Sequence, residues 1–255
     1  MNGLLLYAVP DLPEIRPGDN LAALIARGCE SVNLSIESGD VVVVAQKVVS
    51  KCEGRLIALE TIVPSERAMQ IAAETDKDPR LVQAILDESS RVLRTRRGLI
   101  IVEHRLGFIC ANAGIDRSNV EQRADGLTLV TLLPEDPDMS ANRIRDGLRY
   151  HMGVHVAVLI IDSHGRPFRN GAVGVTIGVA GMHPLTCMVG WPDRHGYALK
   201  VTSVATADEL AGAASHLMGQ SSESCPVVVV RGATYVAGNG RTDELLREPE
   251  KDLFR

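Results

Sequence analysis

Three apolar runs constrain this chain more than any other feature. Val41-Val42-Val43-Val44, the stretch from Val154 to Ile161 and the stretch from Pro226 to Arg231 are built mainly of β-branched and aliphatic residues, with scarcely any polar alternation. A strand with one wet face alternates between apolar and polar residues. A continuous run of this kind predicts a strand buried on both faces. With 45% hydrophobic residues in 255, the chain can bury one large core or two smaller ones.

The remaining elements follow from caps, breakers and spacing. Leu4 to Val9 reads as a first strand, followed by a loop holding Pro10 and Pro13. Asn20 is a candidate N-cap for a helix whose apolar stripe is Leu21, Leu24 and Ile25, with Gly28 where the helix would stop. After Val44 the strand is expected to run out through Gln46-Lys47-Val48-Val49-Ser50-Lys51. Helices are predicted over Pro64 to Glu74 and Asp78 to Val92, the second opened by an Asp-Pro cap and carrying Leu81 with Ile85 and Val82 with Leu86 on one face. Leu99 to Glu103 and Phe108 to Ala111 predict a hairpin closed by His104-Arg105-Leu106-Gly107. Ser140 is a candidate N-cap for a helix from Ala141 to His151, stopped by Gly153. Gly171, Gly174, Gly178 and Gly181 interrupt a strand-like stretch. Their spacing matches neither a dinucleotide fingerprint nor Walker A, so they read as structural. Leu199 to Val204 predicts a strand, and Thr206-Ala207-Asp208-Glu209 a capping box opening a helix to Met218 that Gly219 ends. The tail from Arg241 reads as a short helix or a disordered end. Helices and strands alternate only partly, which predicts an α+β fold with a mixed sheet rather than a regular doubly wound one.

Composition removes several function classes. The net charge is -5, no basic patch dominates and aromatic residues make up only 3%, so nucleic acid is not an expected partner. No apolar run reaches membrane-spanning length, and the N-terminus lacks the basic region and long apolar core of a signal peptide; a soluble, cytoplasmic protein is expected. Cys29, Cys52, Cys110, Cys187 and Cys225 are dispersed and odd in number, without a CxxC pair. They read as small buried hydrophobes in a reducing compartment, not as zinc ligands or disulfides. No HExxH, GxSxG or Cys-His spacing supports a metalloprotease or covalent mechanism.

The chemistry left to the chain is polar and hard. Phe108 to Val120 (FICANAGIDRSNV) runs from an apolar strand through Asn-Ala-Gly to Asp116 and Asn119, with Gly114 permitting a tight bend. Val158 to Arg169 (VLIIDSHGRPFR) has the same form and ends its apolar run on Asp162 and Ser163. Two acids at the exits of two buried strands suit a divalent cation and phosphate. The other reading is two ordinary strand-to-turn acids. Ser163, Asn119 and Gln220 add neutral oxygens. Lys47 and Lys51 read either as a solvated strand end or as phosphate contacts. His104, His164 and His195 fall in predicted turns and read as solvated, as do Arg91, Arg94, Arg96 and Arg97.

LPEIRPGDN, GDVVVVAQKVVSKCEGR, PSERA, ICANAGIDRSNV, LLPEDPDMSA, VLIIDSHGRPFRNGAVGVTIG, ADELA, MGQ and VVVVRG follow one another across nearly the whole chain. In these motifs and this order the chain resembles the coenzyme F420 gamma-glutamyl ligases. The resemblance implies an α+β fold distinct from Rossmann and P-loop folds, in keeping with the missing Walker A. It implies one unit over residues 1–255, with room for two intertwined subdomains and without the C-terminal flavin-binding domain of some bacterial relatives. It further implies a GTP-dependent ligase that phosphorylates the terminal carboxylate of coenzyme F420-0. The amine of L-glutamate then displaces the phosphate, and further glutamates can be added through their gamma-carboxyl groups. Mg²⁺ or Mn²⁺, a response to K⁺ and a homodimer come with the same resemblance. Carried over by position, the metal ligands would be Asp116, Asp162, Ser163 and Gln220. Guanine-nucleotide contacts would come from Leu12, Pro13, Glu14 and Ile15, from Gln46, Lys47 and Lys51, from Asn119, and from Met218, Gly219, Gln220, Ser221, Ser222, Glu223, Ser224 and Cys225. Asp116, Asp162 and Lys51 would serve the reaction itself. Archaeal members carry Ser-Thr at the positions of Gln46-Lys47, Thr at Ser163 and Glu at Gln220, and this chain departs from them there. The competing expectations are a related acyl-phosphate ligase with another acceptor acid or amino acid, and a non-catalytic nucleotide-binding module.

Overall fold

The computed structural model describes residues 3–117 and 126–253. In chain order the elements are β1 (Leu5–Val9), α1 (Leu21–Ser31), β2 (Val41–Ala45), α2 (Gln46–Cys52), β3 (Leu56–Ala58), α3 (Glu66–Thr75), α4 (Pro79–Asp87), β4 (Ser89–Arg96), β5 (Leu99–His104), β6 (Ile109–Ala111), β7 (Leu129–Thr131), α5 (Pro137–Met152), β8 (Ala157–Arg166), β9 (Arg169–Ala180), β10 (Thr186–Cys187), β11 (Ser203–Val204), α6 (Thr206–Met218) and β12 (Val227–Arg231). Five strands form the main sheet in the order β1-β12-β2-β8-β9. Only the β2–β8 pair is parallel; the other three pairs are antiparallel, so the sheet is mixed and the fold is α+β.

The valine runs are its centre, and both faces are covered. Val42, Val44, Val158, Ile160, Val227 and Val229 pack toward α1 and α5, against Leu24, Ile25, Ile144 and Leu148. Val41, Val43, Leu159, Ile161, Val228 and Val230 turn the other way, onto Ala207, Leu210, Ala211 and Ala214 of α6. Side chains on a strand alternate between faces, so strands with apolar residues at every position need a helical layer on each side. A second core joins α3 and α4 to the three-stranded sheet β4-β5-β6 through Ala68, Val82, Ile85, Ile100 and Val102.

Several boundaries differ from the sequence reading. Gln46 to Cys52 is the helix α2, not the tail of β2. The helix expected over Asp78 to Val92 stops at Asp87, because Ser89–Arg96 is taken into β4 by pairing with β5. Gly28 lies inside α1; a Cβ there would meet Leu12 Cδ2 at 2.7 Å and Val9 Cγ1 at 2.9 Å, so the glycine serves packing and not termination. The cap of α5 is Asp136, whose carboxylate accepts the Met139 N–H, with Pro137 at the first helical position; Ser140 is already one turn inside. Thr206 forms no capping box: its hydroxyl bonds Thr186 at 2.7 Å and the N-cap is Ala205. Of the strand expected over Leu199 to Val204, only Ser203–Val204 pairs. Gly174, Gly178 and Gly181 do mark close packing, against Ser215 and Ala211, Pro137, and Val156 respectively. All five cysteines are free thiols. Among the described residues no helix is long and apolar enough to cross a membrane.

Candidate active site

One edge of the main sheet gathers the candidate residues. Ala45, the last residue of β2, lies beside Ile161 of the parallel β8. Val227, the first residue of β12, pairs with Val44 on one side and with Val9, the last residue of β1, on the other. The loop after β1, the helix after β2, the continuation of β8 and the loop before β12 therefore all leave the sheet at this edge. Two backbone bonds tie them: Ala45 N–H donates to Pro226 O at 2.9 Å and Asp11 N–H to Ser224 O at 3.1 Å. The carboxyl ends of adjacent parallel strands are the usual seat of ligands in α/β sheets.

At this edge the side chains pair in a definite way. Lys47 and Lys51 are four residues apart on one face of α2. Lys47 Nζ lies 2.8 Å from Asp116 Oδ2, and Lys51 Nζ donates to Glu14 Oε1 at 2.6 Å. Asp116 arrives through Asn112-Ala113-Gly114, whose φ angles are 51°, 53° and 66°. A left-handed Ala costs on the order of 1–2 kcal/mol. The turn is held because Ala113 is fully buried, Asn112 Oδ1 accepts the Ile100 N–H, and Asp116 exchanges both backbone bonds with Thr131.

Asp162 is in the body of β8, which runs on past Ile161 as a two-stranded ribbon with β9. Its Oδ2 is 3.1 Å from His164 Nε2. The His164 ring sits 5.3 Å from that of Phe108, which stacks on His104 at 5.2 Å. Burial, and after it the charge of Asp162, pushes the Cys110 thiol up to about 12. Ser163 turns to the opposite face. Its hydroxyl donates to Gln220 Oε1 at 2.8 Å, and Gln220 Nε2 donates to Ser215 Oγ at 3.1 Å. The pleat thus sends Asp162 and Ser163 to different sides of β8.

The other candidates divide by burial. Gln46 is buried and its amide oxygen accepts the Ser50 hydroxyl. Ile15, Met218 and Cys225 belong to the core, while Pro13, Glu14 and Gln220 through Ser224 are exposed and Leu12 and Gly219 stand at the margin. Asn119 lies outside the described residues. The histidine reading needs correction at two positions. His104 is fully buried, its Nδ1 accepting the Leu106 N–H, and His164 sits within a strand against Asp162. Arg166 lies on the same strand, two residues beyond His164. The period-two spacing Asp162-x-His164-x-Arg166 was the signal that could have placed both there, since it puts three polar groups on one strand face. The arginine run is largely structural and wet: Arg91 pairs with Glu103 and Arg97 with Asp76.

Hard carboxylate oxygens from Asp116 and Asp162 suit Mg²⁺ or Mn²⁺. Mg²⁺ typically takes one or two protein carboxylates and completes its shell with water and substrate phosphate. Among the described residues no three of His, Cys, Asp or Glu converge as a closed all-protein metal cage. The donor set fits a cation shared with a phosphorylated substrate.

Residues 11–232 match the family described as F420-0:Gamma-glutamyl ligase. The chain is 47% identical over 255 residues to the coenzyme F420:L-glutamate ligase of Methanothermobacter thermautotrophicus, covering 99% of each chain. It is 44% identical to the protein of the same name from Methanocaldococcus jannaschii, over 91% of this chain and 93% of that one. It is likewise 44% identical to the coenzyme F420:L-glutamate ligase of Methanopyrus kandleri, over the full length of both.

Proposed function

The chain belongs to the F420-0:gamma-glutamyl ligase family, and from that premise we propose that it joins L-glutamate to coenzyme F420-0 with cleavage of GTP to GDP and phosphate. The observation that carries the reading is the convergence at one sheet edge of two lysines, two acids and two exposed loops. A carboxylate does not react with an amine at neutral pH until its oxygen becomes a leaving group. Transfer of the γ-phosphoryl group of GTP to the acid supplies one. The amine nitrogen then forms the C–N bond as the C–O bond to phosphate breaks, and the nitrogen gives up a proton.

The protein's part is to hold phosphates and neutralise charge. Lys51 offers an ammonium to the phosphate oxygens, and so does Lys47 once nucleotide competes for it with Asp116. The exposed backbone of Ser222, Ser224 and Glu14 offers N–H groups beside them. Asp116 and Asp162 hold a divalent cation, with Ser163 and Gln220 as neutral oxygens on the other face of β8. When bound, Mg²⁺ or Mn²⁺ supplies Lewis-acid charge neutralisation at the transferring phosphoryl group. A K⁺ requirement and a homodimer belong to the same proposal.

Incubation with GTP, Mn²⁺, L-glutamate and coenzyme F420-0 should yield a product heavier by one glutamyl unit. Asp116→Asn should lower turnover by about 100-fold or more. GTP cleavage that occurs only with a different acceptor acid would sink the reading, and no cleavage with any acceptor would leave a nucleotide-binding module.

A further inference from the structure

Among the described residues, Arg166 is the one permanently charged cation on the Asp162 face of β8. Within the strand the side chains of Asp162, His164 and Arg166 are half-buried while Ser163 and Gly165 are exposed, the alternation of one shared face. Its guanidinium is poorly satisfied. Among the described residues, Nη1 is shielded from solvent with no hydrogen-bond partner, and Nη2 reaches only the Asn170 carbonyl, at 3.4 Å. A shielded charged donor left unpaired is costly, and native structures rarely keep one without a use. Its position narrows that use. The lysines that suit phosphate stand on α2, next to β2, whereas β8 beyond Ile161 pairs with β9 alone. Arg166 therefore lies past Asp162 and His164 on the ribbon, away from the nucleotide side. Both acid substrates of a glutamate ligase bring carboxylates, and a guanidinium binds a carboxylate through two parallel N–H bonds where an ammonium offers only a point charge.

We propose that Arg166 anchors a substrate carboxylate beside Asp162, an assignment that rests on the ligase reading above. The carboxylate comes either from L-glutamate or from the acceptor acid, and the kinetics separate the two. Arg166→Gln and Arg166→Lys are compared with wild type, varying L-glutamate and coenzyme F420-0 in turn, with GTP affinity titrated directly and folding followed by thermal unfolding. The Gln variant should raise KM for one acid substrate by roughly 10- to 100-fold while leaving GTP affinity and the melting temperature as in wild type. The Lys variant should recover part of the loss. A rise for L-glutamate assigns the amino acid's carboxylate, and a rise for coenzyme F420-0 the acceptor's. Both KM values within twofold of wild type would overturn the assignment, as would a loss of GTP affinity, which would put the guanidinium on phosphate. If the Gln variant fails to fold, the Lys variant carries the same test. A wild-type protein that forms no glutamyl product refutes the ligase reading instead. Arg166 is then judged by thermal shift with L-glutamate: a shift lost in Arg166→Gln supports carboxylate binding, and a shift retained, or none in wild type, overturns it.

Discussion

The ammonium of Lys51 has three N–H donors, and Glu14 takes one of them at 2.6 Å. Its side chain is only 14% exposed, so water cannot fully satisfy the rest. An anion at this edge gains from both facts. Lys51→Ala should weaken GTP binding by roughly 10- to 100-fold, read by direct titration, and an unchanged affinity removes Lys51 from the phosphate site. A second residue-scale test concerns Cys110. Its thiol is protonated to about pH 12 because burial, and then the charge of Asp162, oppose the thiolate. Iodoacetamide at pH 8 should therefore modify the exposed Cys187 and leave Cys110 untouched, as peptide mass spectrometry would show. Labelling of native Cys110 would mean that Asp162 and its surroundings are more open than the packing indicates. These residues also mark how far the site was legible from sequence. Asp116, Asp162, Lys47 and Lys51 were visible as residue types at the ends of apolar runs. Their pairings were not, because Lys47 meets Asp116 only after β3 to β6 have folded between them. His164 was hidden by the assumption that a strand stops at its first acid, when pairing with β9 carries β8 on to Arg166.

At the scale of elements, α6 is seated on β9 by the absence of a side chain. A Cβ at Gly174 would lie 2.5 Å from Ser215 Cβ and 2.6 Å from the Ala211 carbonyl oxygen, and the carbonyl cannot move without moving the helix. Gly174→Ala should cost about 1–3 kcal/mol in denaturant unfolding. It should also disturb the site, because Ser215 accepts a hydrogen bond from the amide that positions Gln220 against Ser163. Gly212 on the same helix is the contrast. A Cβ there meets nothing, so Gly212→Ala should stabilise by about 0.5–1 kcal/mol. Equal effects at the two positions would mean that α6 is not tightly seated. The same contrast explains which elements the sequence disclosed. The valine strands needed no context, since their burial on both faces is written in composition. The helix α2 needed it: seven residues with Val48 and Val49 at the end of a valine strand carry no helix signal of their own, and as a helix they bury Gln46, Val49 and Ser50 while Lys47 and Lys51 reach Asp116 and Glu14. The end of α4 needed it too, because the apolar spacing runs on to Val92 while β5 claims the chain from Ser89.

Across the whole molecule, one carboxylate joins the two cores. Arg55, just beyond α2, donates Nη2 to both oxygens of Glu88 at 2.9 Å and Nε to the Leu133 carbonyl at 2.9 Å. Glu88 closes α4 in the second core and also faces Arg105 Nε at 3.1 Å and the buried His104 Nε2 at 3.6 Å. From His104 the ring contacts run through the stacked Phe108 to the tilted His164 ring and so to Asp162, which makes this joint a neighbour of the candidate site. Burial by itself would raise the Glu88 pKa. The partners outweigh it, with His104 and Arg55 foremost and Arg105 adding its charge, and hold the carboxyl below the usual glutamate range. A carboxyl whose pKa is lower in the folded than in the unfolded chain binds fewer protons when folded. Its stabilisation is complete above the unfolded glutamate pKa and is lost as pH falls through the lower, folded value. Glu88→Gln removes the charge and leaves two guanidinium groups facing a neutral amide. Because Arg55 and Arg105 keep some access to water, the loss at pH 7 should be about 3 kcal/mol, toward the low end for a broken buried pair. Urea unfolding measured stepwise from pH 7 downward should show wild type losing this advantage through the acid range, with the two proteins converging once Glu88 is protonated. Curves that stay parallel, or a variant as stable as wild type at pH 7, would mean that the cores are joined by apolar packing alone.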